Sequence, residues 1–203
     1  MSRKCLFSFF GANGTHFFVY AFLVSQKTLI LWINRKCSIC EALAVMILMF
    51  LRIFFMDNRQ NKQRLLDSRY LRMARIWAEN SYCERRKVGA LIVKDNMIIS
   101  DGFNGTPSGF ENVCEDEEGK TKSYVLHAEA NAITKVARSG NSSDGATLYI
   151  TASPCIECAK LIIQAGIKRI VYSELYRFHD GIDLLNRAGI ECVLLEDDKS
   201  INE

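Results

Sequence analysis

The chain has 203 residues, 49% hydrophobic and 24% charged. That composition excludes a disordered or collagen-like chain and allows one domain of ordinary size with an appendage. Residues 1–55 carry six Lys/Arg and one Glu, while residues 56–203 carry 20 Lys/Arg against 22 Asp/Glu, so the net charge of +3 belongs to the first quarter. The remaining 148 residues lack the basic footprint of a nucleic-acid-binding domain, and no nucleic acid is expected as a partner.

Aromatic residues divide at the same place, with 11 of the 21 before Met56. Phe17–Val24 is an apolar octet, Thr28–Ile33 a second patch, and Ala42–Leu51 a third run, broken by Arg52 and resumed as Ile53–Met56. The third run is shorter than the roughly 20 apolar residues of a spanning helix and contains an arginine. No small-residue cleavage site follows it. A membrane anchor, an export signal and a translated upstream region all stay open for residues 1–55. The expectation is the last of these, with a native start at Met56 and a single domain over 56–203. Cys37-x-x-Cys40 has no second ligand pair nearby and is read as carrying no metal.

From Met56 onward the elements are legible in order. Leu65, Leu66, Tyr70, Met73, Ala74, Trp77 and Ala78 recur at helical spacing and predict a helix over Asn61–Asn80. Val88–Val93 and Met97–Ser100 are apolar, strand-like runs joined by Lys94-Asp95-Asn96, which predicts a hairpin. Gly102–Gly109, with three glycines and a proline, begins a loop that the polar stretch Glu111–Lys122 extends. A helix over Ala128–Arg138 and a strand over Thr147–Thr151 follow. The next helix is expected to start with Ser153 as N-cap and Pro154 at its first position, and to run to Ala165 before Gly166. Strand Ile170–Tyr172, helix Gly181–Arg187 and strand Glu191–Leu195 complete the series. The order α-β-β-α-β-α-β-α-β implies an α/β fold, a three-layer α-β-α sandwich on a mixed five-stranded sheet.

Chemistry concentrates in His127-Ala128-Glu129 and Pro154-Cys155-Ile156-Glu157-Cys158. His127, Cys155 and Cys158 form a three-ligand zinc set that leaves one coordination position for water. Both segments fall at expected helix N-termini, where amide groups and the helix dipole favour thiolates. Glu129 stands close to such a metal without binding it and is placed to carry protons as the catalytic acid/base. Each half recurs by chance, but H-x-E followed by P-C-x-x-C is the signature of zinc nucleobase deaminases. A structural zinc knot is the alternative, and it needs a fourth protein ligand.

With these motifs, with Cys83-Glu84-Arg85-Arg86-Lys87-Val88-Gly89-Ala90 and with Gly102-Phe103-Asn104-Gly105-Thr106-Pro107-Ser108-Gly109, residues 60–195 resemble the cytidine and deoxycytidylate deaminase superfamily, most closely the deoxycytidylate (dCMP) deaminases. The resemblance implies hydrolysis of dCMP to dUMP, which feeds thymidylate synthesis, with Asn104 holding the sugar hydroxyl. Asn104 also reads as a turn residue. Arg138, three helical turns from His127, matches a family position near the phosphate, or complements its own helix dipole. Arg85, with Arg86 and Lys87, is a second phosphate candidate, or a solvated basic face. Tyr176, Phe178 and His179 lie where the family's substrate pocket closes. The resemblance further implies a homo-hexamer, activation by dCTP and inhibition by dTTP.

Some family members bind a second, structural zinc through a cysteine placed like Cys83 and histidines of the following insert. Here no histidine lies between Cys83 and His127, which counts against a second site and leaves Cys83 and Cys114 as the one pair that could still meet on a metal. The eight cysteines are read as metal ligands and free thiols, which suits a reducing, cytoplasmic location. A tRNA adenosine deaminase shares the zinc core but has a shorter loop before its His-x-Glu. A free-nucleoside deaminase begins that motif with Cys. A membrane-anchored zinc protein without catalysis is the reading from another class.

Overall fold

In the computed structural model, residues 5–10, 16–21, 38–176 and 178–196 are described, with side chains from Arg52 onward. Two units divide the chain, Met1–Asp57 and Asn58–Glu203. In the first, β1 (Cys5–Phe10) and β2 (His16–Ala21) pair antiparallel, Cys5 opposite Ala21. Helix α1 runs from Ser38 to Ala78. It begins well before the expected Asn61, because no proline or glycine interrupts residues 38–78. Among the described residues, no helix is long and apolar enough to cross a membrane. Thr28–Ile33 and the side chains of Cys37-x-x-Cys40 lie outside the described residues.

The second unit is built on one sheet. Its strands are β3 (Gly89–Lys94), β4 (Met97–Phe103), β5 (Thr147–Ile150), β6 (Arg169–Tyr172) and β7 (Glu191–Leu194), in the order β4-β3-β5-β6-β7. β3 pairs antiparallel with β4 and with β5, while β5, β6 and β7 run parallel. Asp95 and Asn96 both take positive φ in the β3–β4 turn, which suits their short polar side chains. Helices α2 (Ala128–Ala137), α3 (Ile156–Gln164) and α4 (Asp180–Arg187) connect the remaining strands.

Strand alternation explains why these runs are apolar throughout. Ala90, Ile92, Leu148, Ile150 and Ile170 face the cluster that includes Ala128, Ala132, Ala159, Ile162 and Leu185 of α2, α3 and α4. Their neighbours Leu91, Val93, Tyr149 and Val171 face Leu71 and Ala74 of α1. A sheet covered on both faces needs side chains that bury in either direction. The result is the expected three-layer α-β-α sandwich with a mixed sheet. On the α1 face, Asp67 is 2% exposed and accepts two hydrogen bonds from Arg169 of β6 (2.9 and 2.8 Å), with others from Tyr149 (2.7 Å) and Gln63 (2.9 Å).

The start of α3 departs from expectation. Cys155 is the N-cap, not Ser153. Ser153 instead donates its N–H to the Glu174 carbonyl (2.8 Å), and its hydroxyl accepts the Tyr176 N–H (2.7 Å). It ties the exit of β5 to the exit of β6, and Pro154 is spent on the turn between strand and helix. Gly166 and Gly189, past the ends of α3 and α4, take positive φ as such terminators do.

Candidate active site

Two helix starts meet beyond the carboxyl ends of β5 and β6. His127 caps α2 and Cys155 caps α3, both in extended backbone (φ −74°, ψ 157° and φ −74°, ψ 170°). An N-cap side chain lies over the first helical turn, where unpaired amides favour an anion. Cys158, three residues later, projects to the same side as Cys155. His127 Nδ1 lies 3.5 Å from Cys155 Sγ and 3.4 Å from Cys158 Sγ. All three ligand atoms fall within 4.8 Å of one another. Zinc bonds of about 2.1 Å to nitrogen and 2.3 Å to sulfur, at a tetrahedral angle, set the two atoms about 3.6 Å apart. The donor set therefore fits zinc, with a fourth position left over.

The cluster is electrostatically tuned. Cys155 is pulled down to about 3 by hydrogen bonding from Cys158 and then from His127. Cys158 is driven up, because it donates to Cys155 and is buried. His127 is raised, chiefly by its hydrogen bond with Cys155. Glu129, in the first turn of α2 and 4% exposed, is held up at about 7 by burial. A carboxyl that exchanges its proton near neutrality, beside a metal-ligand cluster, is suited to acid/base work.

These groups open into a cavity of about 470 Å³ that also exposes Arg85, Arg86, Asn104, Glu115, Thr121 and Tyr176. The Asn104 side chain accepts the Val88 N–H (2.8 Å) and donates to the Arg86 carbonyl (2.8 Å), so it fixes the 86–88 segment as the cavity wall. Arg85 donates to Thr121 Oγ1 (3.1 Å). Arg86 pairs with Glu174 and lies 5.5 Å from the Tyr176 ring centre.

Of the residues singled out in the sequence, His127, Glu129, Cys155, Asn104, Arg85 and Tyr176 line this cavity, and the buried Cys158 joins them through the ligand cluster. Arg138 does not. It caps the far end of α2, and 11 residues of helix separate it from His127 by about 16 Å along the axis, so sharing a face does not bring it near. His179 caps α4, and Phe178 is exposed. Glu115 and Thr121 were not foreseen, because a loop has no periodicity to mark its inward side chains.

Cys83 and Cys114 depart from the reading of the cysteines as metal ligands and free thiols. They are joined as a disulfide with Cα atoms 5.1 Å apart. The adjacent Glu115 carboxylate is engaged by the N–H groups of Glu84 and Arg85 (3.3 Å each) rather than free to ligate. Among the described residues, His127, Cys155 and Cys158 are the one group of three or more placed to hold a metal.

Comparison with known proteins agrees with this geometry. The family model for the cytidine and deoxycytidylate deaminase zinc-binding region matches residues 65–174. The deoxycytidylate deaminase of Enterobacteria phage T4 is 36% identical over 167 residues, covering 61% of this chain and 86% of that protein. The Homo sapiens deoxycytidylate deaminase is 36% identical over 137 residues, covering 60% and 74%. The dCMP deaminase of cyanophage S-TIM5, solved in complex with dCMP and dUMP, superposes with a TM-score of 0.61 at 48% identity, covering 62% of this chain and 93% of that one. With the zinc-binding region spanning more than half of the sequence, and the ligand set assembled at its centre, the chain belongs to the cytidine and deoxycytidylate deaminase family.

Proposed function

We propose that this chain is a zinc-dependent hydrolase that converts dCMP and water to dUMP and ammonia. One observation carries the reading: the buried Glu129 carboxyl stands beside the His127–Cys155–Cys158 cluster in a cavity large enough for a pyrimidine nucleotide. The family relationship and the dCMP and dUMP bound to the S-TIM5 enzyme support the choice of substrate.

His127, Cys155 and Cys158 are the zinc ligands in this reading. When bound, zinc supplies a Lewis acid that makes water nucleophilic near neutral pH. Glu129 takes a proton from the attacking water and passes it to N3 of the pyrimidine. It then takes the remaining proton of the C4 hydroxyl and delivers it to the amino group, so the C4–N bond breaks and ammonia leaves as the C4–O bond becomes a carbonyl. Asn104 orients the sugar hydroxyl while its amide holds the 86–88 segment. Arg85 faces the phosphate, and Tyr176 closes the cavity beside Arg86. Arg138 has no place in this pocket.

The deaminase domain is residues 56–203. Its product supplies thymidylate synthesis in the cytoplasm. A homo-hexamer under dCTP activation and dTTP inhibition is the assembly and regulation we propose, tested by sedimentation and by titrating each nucleotide into the assay.

The deciding experiment is ammonia release by the zinc-loaded full chain from dCMP, CMP, deoxycytidine and dCTP, with Glu129→Gln alongside. Turnover should be strongest with dCMP, and Glu129→Gln should keep its zinc while losing roughly 100- to 10,000-fold in rate. One zinc per chain with no release from any of the four, but deamination of adenosine in tRNA, would refute the assignment.

A further inference from the structure

Between Gly105 and Ala128 the chain makes a long excursion from β4 to α2, and among the described residues of that stretch Cys114 alone is buried. It is 1% exposed, while Phe110 and Val113 stand mostly in solvent. Full burial in that stretch therefore falls to one side chain, bonded to Cys83, while Pro107, Val125 and Leu126 are only half-buried. The contacts on either side continue the dock: Glu115 accepts the N–H groups of Glu84 and Arg85, and Arg85 reaches Thr121. Exposed hydrogen bonds of this kind hold little by themselves. Glu115 and Thr121 nevertheless line the substrate cavity.

We propose that the Cys83–Cys114 disulfide is a redox-responsive tether that positions the 106–125 loop as a wall of the substrate cavity, so that the oxidised chain binds its nucleotide more tightly than the reduced one. The inference rests on the deaminase reading above. Cys83 and Cys114 are positioning residues. The metal ligands and Glu129 are held by the starts of α2 and α3 on the sheet, outside the loop. Opening the tether therefore loosens substrate binding and spares the chemical step. A cellular dithiol passes two electrons and two protons to the S–S bond, leaving two thiols here and a disulfide on the dithiol. A responsive pair of this sort is the form a disulfide takes in a reducing compartment.

The test uses the zinc-loaded full chain in zinc-buffered medium, with and without a phosphine reductant. Three readouts are taken: alkylation sites by mass, amide exchange of residues 106–125, and KM against kcat for dCMP. Cys83 and Cys114 should resist alkylation until reduced, and reduction should speed exchange in the loop. KM should rise by at least about fivefold with kcat held within about twofold. Cys114→Ser should show the raised KM with or without reductant, and Cys192→Ser should respond as the parent does. Unchanged exchange and KM on reduction would overturn the proposal. So would alkylation of both cysteines before reduction, or a second zinc per chain that Cys114→Ser loses. If neither form turns over dCMP, the deaminase reading fails, and the exchange measurement still decides the tether.

Discussion

Gly181, in the first turn of α4, bears directly on zinc affinity although it touches no ligand atom. A Cβ added there meets the Pro154 carbonyl oxygen first, and then the carbonyl carbon and oxygen of Cys155 at 2.9 and 3.1 Å. Relaxed carbon contacts lie at about 3.5 Å or more, so the Cys155 backbone must retreat by at least about 0.6 Å. Zinc sites tolerate ligand displacements of about 0.2 Å. Gly181→Ala should therefore destabilise the fold by about 1–3 kcal/mol, as overpacking does, and weaken zinc binding by about 10- to 100-fold. Gly89→Ala is the matched control. Its Cβ meets the backbone of Ala74 and Ala78 in α1, on the opposite face of the sheet, with a comparable clash at 2.7 Å from the Ala78 nitrogen. It should lose similar stability and keep its zinc affinity. Competition with a chromogenic chelator reads the affinity, and urea unfolding of the metal-free proteins reads the stability. A folded Gly181→Ala that binds zinc as tightly as the parent, or a Gly89→Ala that loses as much, would refute the reasoning.

Asp67→Ala leaves Arg169 with Glu191 (3.2 Å) as its remaining counter-ion and takes the acceptor from Tyr149, so it should cost about 2–3 kcal/mol in urea unfolding, less than a fully stranded charge would. Burial raises the Asp67 carboxyl, but hydrogen bonds from Arg169, Tyr149 and Gln63 outweigh it and set it below its ordinary 3.8. A lowered carboxyl stabilises the fold above its unfolded pKa, so the stability gap between parent and Asp67→Asn should be full near neutrality and close as the pH falls below about 4. Asn104→Asp keeps the acceptor for Val88 but loses the donor to Arg86, so KM for dCMP should rise with zinc content unchanged in a metal assay. Cys158→Ala removes one of three ligands and should yield zinc-free protein by elemental analysis, with ammonia release abolished.

From Met56 onward the order of helices and strands, and with it the fold class, was legible because both depend on periodicities within one segment, whereas the β1–β2 pair of the first unit was not read from its apolar runs. β3, β5 and β6 read as apolar runs, and α2 and α3 begin where their ligands stand. His127, Glu129, Cys155 and Cys158 were legible for the same reason: each pair lies within a turn of helix, and the chemistry of two thiols and an imidazole is independent of the fold around them. Ser153 shows where such local rules stop. Its sequence context is that of an N-cap, yet Tyr176 and Glu174, on the exit from the next strand, engage it instead. Arg138 shows the same limit in reverse, since helical phase places it on the face of His127 but says nothing of the distance along the axis.

Residues 1–203 by themselves determined the sheet, the covering helices and the zinc donors, because hydrophobic alternation, helix starts and ligand chemistry act over a few residues. Tertiary packing alone decided that the starts of α2 and α3 converge, that Cys114 closes on Cys83 and that Asp67 meets Arg169 across 102 residues of chain. It likewise decided that α4 presents a glycine to the backbone of Cys155. Those contacts join segments whose separation in sequence carries no periodic signal, and they form only when burying both faces of the sheet brings the elements together.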